Sequence, residues 1–128
     1  MTRERLNEIG GIILDACITV HRELGPGLLE SAYENALAYE LRSMGLEVSQ
    51  QVAMPFIYKD VQLEVGYRID ILVENKIILE IKSVESLAPV HYSQLLTYLK
   101  LSDKRLGLLI NFNSKLVKDS IHRIVNNL

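Results

Sequence analysis

The stretch that decides the fold is residues 67–82, YRIDILVENKIILEIK. Isoleucine, leucine and valine dominate both halves of it, and bounded runs of such residues favour strands. We therefore predict two strands, residues 67–73 and residues 76–82. Because alternate residues of a strand face opposite sides of a sheet, Glu80 and Lys82 share one face, and the apolar residues next to them face the other.

The turn between the two strands decides which residues face each other. If residues 74–76 form a three-residue loop, the numbers of facing residues add up to 150. That register places Asp70 opposite Glu80 and Arg68 opposite Lys82, whereas a two-residue turn shifts it by one residue and separates the carboxylates. Two like charges that face each other in apolar surroundings destabilise a strand pair. The three-residue loop therefore implies a bound counter-ion.

A divalent cation held by Asp70 and Glu80 removes this conflict. Hard ions such as Mg²⁺ bind one or two carboxylates and keep waters or substrate phosphates as their other ligands. Such an ion polarises a phosphodiester and lowers the pKa of a bound water. Lys82, beside it, can orient that water or stabilise the charge that develops on phosphorus. The alternative is that Asp70 and Glu80 are edge carboxylates and Lys82 is an exposed partner.

The other segments alternate between helical and extended patterns. A turn is predicted at Tyr58-Lys59-Asp60, within a region of short strands. The predicted elements are, in chain order, helices over residues 4–23 and 28–44, short strands between Val48 and Val65, the two strands described above, a helix over residues 89–101, a buried strand over residues 106–112 and a short helix over residues 116–125.

Length and composition are those of one ordinary globular domain. The chain has 128 residues, of which 48% are hydrophobic and 23% charged, and its formal net charge is −2. Domains run at roughly 100–200 residues, so we expect one α/β domain over residues 1–128. Cys17 is the only cysteine, which excludes an intramolecular disulfide and a multi-cysteine zinc site. The terminus is unlike a signal peptide and no apolar run approaches roughly 20 residues, so we expect a soluble cytoplasmic protein without a membrane partner.

Several motifs resemble those of known nucleases. Asp70 followed by Glu80-Ile81-Lys82 resembles the PD-(D/E)XK nuclease superfamily motif. Gly66-Tyr67-Arg68-Ile69-Asp70 resembles the form found in RecB-like members, with Ile69 where the founding pattern has proline, and Gln94-Leu95-Leu96-Thr97-Tyr98 is similar to their Gln-x-x-x-Tyr element. Residues 27–33 resemble the signature of the small GxxExxY protein family, GLLESAY in this sequence. The resemblance covers about residues 9–125.

This resemblance implies both a fold and an activity. The fold is an α/β, single-domain, restriction-endonuclease-like core, with a central mixed β-sheet of about four to five strands flanked by helices. The activity is hydrolysis of nucleic-acid phosphodiester bonds with Mg²⁺ or Mn²⁺, on DNA more than RNA. We also expect a homodimer or a partner that supplies substrate recognition. The alternatives are a catalytically silent nucleic-acid- or protein-binding module and an oligomeric interaction protein, because a fold alone does not establish activity.

Carried onto this sequence, the resemblance implies metal ligands at Asp70, Glu80 and Glu30. Lys82 is then the catalytic lysine. Glu34 is the alternative to Glu30 as the helix carboxylate that approaches the site. Glu30 has a further interpretation, as a first-turn carboxylate that complements the helix dipole.

The resemblance also implies three substrate-binding residues, Gln94, Tyr98 and Tyr33. His91, Gln94 and Tyr98 follow i, i+3, i+7 spacing and share one helix face. A solvated helix face is the alternative for His91. Tyr33 is alternatively a packing residue whose hydroxyl has one partner.

Overall fold

The fold is a five-stranded mixed sheet with helices on both faces, which is the architecture expected. The computed structural model describes residues 1–64 and 66–128; Val65, expected at the end of the short strands, lies outside the described residues. In chain order the elements are α1 (Arg3–Leu24), α2 (Glu30–Ser43), β1 (Val48–Ala53), β2 (Phe56–Tyr58), β3 (Val61–Leu63), β4 (Arg68–Val73), β5 (Ile77–Lys82), α3 (Pro89–Ser102), β6 (Leu106–Asn111), a short 3₁₀ helix (Val117–Ser120) and β7 (Ile121–Val125). The main sheet has the strand order β1-β4-β5-β6-β7.

Strands β4 and β5 pair in the predicted register. The antiparallel pairs are Ile71 with Leu79, Leu72 with Ile78 and Val73 with Ile77. The numbers of each pair add up to 150, so three residues separate the paired strands, and the predicted loop is confirmed. Glu74 and Asn75 both have a φ of 54°, and the Lys76 N–H donates to the Val73 carbonyl at 2.9 Å.

Helices α1 and α2 pack on one face of the sheet, and α3 packs on the other. Ile77, Leu79 and Ile81 belong to the core that contains the apolar residues of α1 and α2. Ile78 belongs to a second core with Leu95 and the rest of the apolar face of α3. Alternate residues of β5 thus point to opposite faces, as period-2 geometry requires. The even-numbered Glu80 and Lys82 follow Ile78 toward the α3 face.

Local contacts fix both ends of α1. Thr2 Oγ1 accepts a hydrogen bond from the Arg5 N–H at 3.1 Å, which satisfies one of the free donors of the first turn. Gly25 ends the helix with a φ of 68°, a conformation that glycine adopts without steric cost. Cys17 is fully buried in this helix.

In the described part of the chain, no helix is both long and apolar enough to cross a bilayer.

The short strands predicted around residue 58 form a hairpin that is separate from the main sheet. Strands β2 and β3 pair antiparallel, with Tyr58 opposite Val61. Lys59 and Asp60 have φ values of 48° and 68°, so the predicted turn is confirmed. Strand β1 instead joins the main sheet at its edge, beside β4.

The C-terminal segment differs from the prediction. The short helix expected over residues 116–125 is wrong, because the structure has the 3₁₀ helix followed by β7. β7 pairs antiparallel with β6, with Ile110 opposite Ile121. Over so few residues, apolar spacing does not separate helix from strand, and β-branched residues favour the strand. Pairing with β7 also covers the backbone edge of β6, which an additional helix would leave open.

Helix α3 lies close to β6 at Gly107. A Cβ atom at this position would lie 3.0 Å from the side chain of Leu95, which is fully buried. Leu95 lies on α3 between Gln94 and Tyr98. The space left by the missing side chain of Gly107 therefore helps to set the distance of both predicted substrate residues from the sheet.

We expect Gly107→Ala to lower the free energy of unfolding by about 1–3 kcal/mol, because the added methyl group overpacks the contact with Leu95. Urea denaturation measures this change. Gly11→Ala in α1 is the matched control, since a Cβ there has no atom within 4 Å. It should stabilise the protein by up to about 1 kcal/mol through helix propensity. Equal effects of the two substitutions would contradict the packing interpretation.

Candidate functional site

Asp70 lies where the regular geometry of β4 breaks down. Ile71 and Val73 pack in the core under α1 and α2. Ile69 and Leu72 pack in the core under α3. In a regular strand Ile69 would share a face with Ile71, so the alternation fails at Asp70. Local irregularities of this kind redirect side chains and are common next to active sites.

The carboxylate of Asp70 takes over part of the sheet's hydrogen bonding. The pairing of β4 with β5 ends at Ile71 and Leu79. Beyond it, Asp70 Oδ2 accepts a hydrogen bond from the backbone N–H of Ile81 at 2.8 Å. This bond holds the carboxylate against the strand that carries Glu80, which is the neighbour that the predicted register assigns to it.

Gln51 on β1 has a strained backbone beside Asp70. Its φ is 51°, and this left-handed conformation costs a non-glycine residue roughly 1–2 kcal/mol. Its two neighbours on β1 pair normally with β4, so Gln51 occupies the position that faces Asp70. Arg68 Nη1 donates to the Gln51 carbonyl at 3.1 Å and holds this backbone. Strain of this kind persists only where surrounding contacts fix it, and it clusters at functional sites.

The side chain of Gln51 links two carboxylates. Its Nε2 donates to Glu34 Oε1 at 2.6 Å and lies 3.4 Å from Asp70 Oδ1, at the long end of the hydrogen-bond range. An amide nitrogen carries two hydrogens, so one group can serve both carboxylates. Gln50 Nε2 donates to the second oxygen of Glu34 at 2.9 Å. Glu34 is buried, and it anchors Gln51 rather than contacting Asp70 through a bond of its own.

Glu30 begins α2 and is half-buried. Ser83, the residue after Lys82, donates through Oγ to the Leu28 carbonyl at 2.6 Å, so the start of α2 lies beside the end of β5. In the part of the chain that the structure describes, no three His, Cys, Asp or Glu side chains converge as a metal-binding group. The structure therefore does not assemble Glu30 with the two strand carboxylates, and its role as a ligand stays a prediction.

Glu80 is the most unusual ionisable group of the site. It is only 5% exposed, and its Oε1 has no hydrogen-bond partner among the described residues. The pKa of Glu80 is raised to about 8, chiefly because the group is buried and secondly because of the charge of Asp70, while the charge of Lys82 acts in the opposite direction. An unsatisfied buried acceptor costs about 1–3 kcal/mol, and more when it is charged. A hard cation is the kind of ligand that stabilises two such carboxylates in their charged form.

Asn111 fixes the end of β5, from which Lys82 projects. The Lys82 carbonyl accepts a hydrogen bond from the Phe112 N–H at 2.9 Å. Asn111 is buried; its Nδ2 donates to the Val84 carbonyl at 3.0 Å, and its Oδ1 accepts from the Val84 N–H at 3.1 Å. These bonds hold the backbone at Lys82 and at the second residue after it; the side chain of Lys82 is half-buried.

Lys82 lines an open groove together with residues of α3. The groove has a volume of about 570 Å³, and His91, Gln94 and Tyr98 are among its lining residues. Gln94 Nε2 donates to Tyr98 Oη at 3.2 Å. Burial raises the pKa of Tyr98 to about 12, with the charge of Glu80 as the next cause, so this hydroxyl stays protonated at neutral pH. The structure thus places Gln94 and Tyr98 in the same groove as Lys82, and Tyr98 within the electrostatic range of Glu80.

Tyr33 has structural contacts. It is fully buried, and its ring stacks on Phe112 with the centroids 4.6 Å apart. Its hydroxyl donates to the Gly25 carbonyl and accepts from the Leu28 N–H at 3.1 Å. A side chain without exposed surface does not touch a substrate, so these contacts fit the packing alternative rather than the substrate-binding role.

The sequence alone predicts no functional role for Gln51, Asn111, Phe56 and Tyr67. Asn111 carries a signal, because it is a polar residue directly after a run of buried strand residues. Gln51 carries none, since its left-handed backbone depends on contacts with distant segments. Phe56 and Tyr67 also line the groove, but they belong to separate segments whose meeting the sequence does not reveal.

A buried carboxyl group, a half-buried one and a lysine on two interior strands of a mixed sheet form a nuclease-type α/β core. The chain belongs to the PD-(D/E)XK nuclease superfamily, since a family model of that superfamily matches residues 7–124. Enzymes of this superfamily generally use divalent metals. A search of curated proteins and a search of solved structures each found no significant match. The narrower resemblance to GxxExxY proteins stays a prediction.

The raised pKa of Glu80 predicts how stability depends on pH in the metal-free protein. Between the ordinary value of 4.5 and about 8, the folded protein keeps a proton that the unfolded chain has released. Stability therefore falls as pH rises through this window, by up to about 1.4 kcal/mol per pH unit. Glu80→Gln removes this titration and should flatten the dependence. Urea unfolding in EDTA across this pH range measures both proteins, and parallel curves would contradict the assignment.

Proposed function

We propose that this protein is a nuclease that hydrolyses nucleic-acid phosphodiester bonds with Mg²⁺ or Mn²⁺, with DNA favoured over RNA. Asp70 and Glu80 hold the ion, and Lys82 assists the attacking water. The observation that carries the proposal is the Oε1 of Glu80, which is buried beside Asp70 and has no hydrogen-bond partner among the described residues. Membership of the superfamily supports the same reaction class.

The donor set fits such an ion. Asp70 and Glu80 supply carboxylate oxygens, which Mg²⁺ and Mn²⁺ prefer. Two carboxylates suffice for an ion that keeps waters and substrate phosphates among its ligands. The chemistry that the ion supplies when bound is polarisation of the phosphodiester and a lower pKa of nearby water.

The chain's own residues supply positioning and charge. Lys82 is close enough to Glu80 for its positive charge to lower the pKa of that carboxyl, and it also lines the open groove. It is therefore placed between the carboxylates and the surface from which a substrate enters. In the proposed reaction its ammonium group orients the attacking water or stabilises the charge that develops on the phosphate. Asp70 is held in orientation by the N–H of Ile81.

We expect cleavage by the wild-type protein in Mg²⁺ or Mn²⁺, and about 100-fold or greater loss in Asp70→Ala and Lys82→Ala. The assay compares single- and double-stranded DNA and RNA. Lys76→Ala is the matched control, because Lys76 is an exposed lysine just before β5, at the opposite end from Lys82. Equal activity in the wild type and both site variants would rule out this site. In parallel, Mn²⁺ should raise the melting temperature of the wild type but not of Asp70→Ala, since only folded protein with intact ligands binds it.

Gln51 is proposed as a positioning residue for Asp70. Gln51→Gly accepts the left-handed backbone and removes only the amide bridge. We expect this variant to need about tenfold more Mn²⁺ for half-maximal cleavage, as is typical when a partner of a metal ligand is lost. Gln50→Ala is the control, because Gln50 also donates to Glu34 but its hydrogen bonds do not include Asp70. The same Mn²⁺ requirement in both variants would contradict the positioning role.

A further inference from the structure

Three aromatic rings from separate segments meet in the groove beside Lys82. Phe56 comes from β2, Tyr67 precedes β4, and Tyr98 belongs to α3, and all three line the groove. The centroids of Tyr67 and Phe56 are 6.3 Å apart, with an interplanar angle of 68°. The centroids of Tyr67 and Tyr98 are 5.8 Å apart, with an interplanar angle of 56°. The three rings therefore form one continuous aromatic cluster with Tyr67 in the middle, and since Tyr98 is only 5% exposed, Tyr67 and Phe56 provide most of its accessible surface.

Tyr67 presents its ring to solvent although it is tied to its neighbours. It is 41% exposed, and its backbone carbonyl accepts a hydrogen bond from the Met54 N–H at 2.9 Å. Both of its aromatic partners meet it at steep angles. Among the described residues, neither partner stacks parallel on its ring, so a planar group that enters the groove can do so.

The groove combines this aromatic surface with very little charge. Among the described residues that line the groove, Lys82 is the only lysine or arginine. A ligand that fits has a flat apolar face and a single anionic group next to it, which is the chemistry of a nucleotide unit. Stacking of a base on an aromatic ring is tolerant of sequence and is the usual way in which proteins hold single strands.

We propose that the groove binds an unpaired base of a single strand, stacked on Tyr67, with the adjoining phosphodiester directed to Lys82. This inference rests on the proposed function and adds a substrate class to it. In a duplex each base is covered on both faces by its neighbours, so an aromatic ring gains a base face only after the base has left the stack. Duplex binding also depends on neutralising many phosphates, for which one groove lysine is insufficient.

The test is the binding of fluorescein-labelled oligothymidylate by the full chain in EDTA, measured by anisotropy. We expect oligothymidylate to bind at least about tenfold more tightly than an abasic strand of the same length. A blunt duplex should compete weakly. Because few phosphates are neutralised, affinity for the single strand should depend only weakly on salt. The abasic comparison uses the wild-type protein and is independent of whether any variant folds.

Variants assign the binding to Tyr67. Tyr67→Ala should weaken binding of oligothymidylate about tenfold or more, and Tyr67→Phe should retain it because the ring is kept. Tyr58→Ala is the matched control, since Tyr58 is 56% exposed and lies on the hairpin outside the groove lining. Equal binding of the abasic strand, effective competition by the duplex, or unchanged affinity in Tyr67→Ala would each overturn the inference.

The proposed function is judged by a different measurement. Loss of cleavage in Asp70→Ala and Lys82→Ala, together with equal binding of abasic and normal strands, would overturn the stacking subsite and leave the nuclease intact. Binding that depends on Tyr67, without any cleavage that depends on Lys82, would support the subsite and overturn the reaction.

Discussion

The candidate site depends on one unfavourable arrangement, in which the carboxyl group of Glu80 lies in the protein interior beside the carboxyl group of Asp70. Burial alone disfavours the charged form, and the charge of Asp70 adds to this effect. An apolar residue at either position would give a more stable strand pair. The β4–β5 hairpin is therefore less stable than it could be at the position where the three-residue loop brings the two carboxylates into register. Natural sequences tend to break local rules in this way at functional sites, where the rest of the structure compensates.

Several neighbouring features help to orient the carboxylate of Asp70. The strand ladder gives way at Asp70 so that its carboxylate binds the N–H of Ile81. Gln51 adopts a left-handed backbone in the middle of a strand, and this strain is maintained by Arg68 and Glu34. The interrupted strand ladder and the strained backbone of Gln51 each cost stability, yet both help to orient the carboxylate of Asp70. Their concentration around Asp70 indicates that the surrounding contacts fix the position of this group at the expense of the regularity of the sheet.

The sequence predicted the features that depend on local rules. Period-2 alternation and the loop length determine which side chain of β5 faces which side chain of β4, and the predicted register agrees with the register in the structure. The C-terminal strand β7 was missed because its pairing with β6 is a contact between distant segments, and residues 121–125 alone do not distinguish a strand from a helix. The contacts of Glu34 could not be predicted from the sequence for the same reason. They require Gln51 to leave the regular strand geometry, which only its tertiary surroundings enforce.

The two parts of the candidate site, the carboxylates and the aromatic groove, differ in the kind of interaction that they offer to a nucleic acid. Asp70, together with Glu80 once it is ionised, repels a phosphate unless a cation balances the charge, and Lys82 alone offsets only part of the charge of two ionised carboxylates. Binding energy that depends on phosphate contacts is therefore small at this surface. In the proposed binding mode the aromatic groove supplies energy of another kind, because stacking on Tyr67 needs no counter-charge. In that mode a chain with a formal net charge of −2 holds a polyanion through its bases and brings one phosphodiester to the carboxylates. This proposed division accounts for how a small, slightly acidic protein can be suited to nucleic acid.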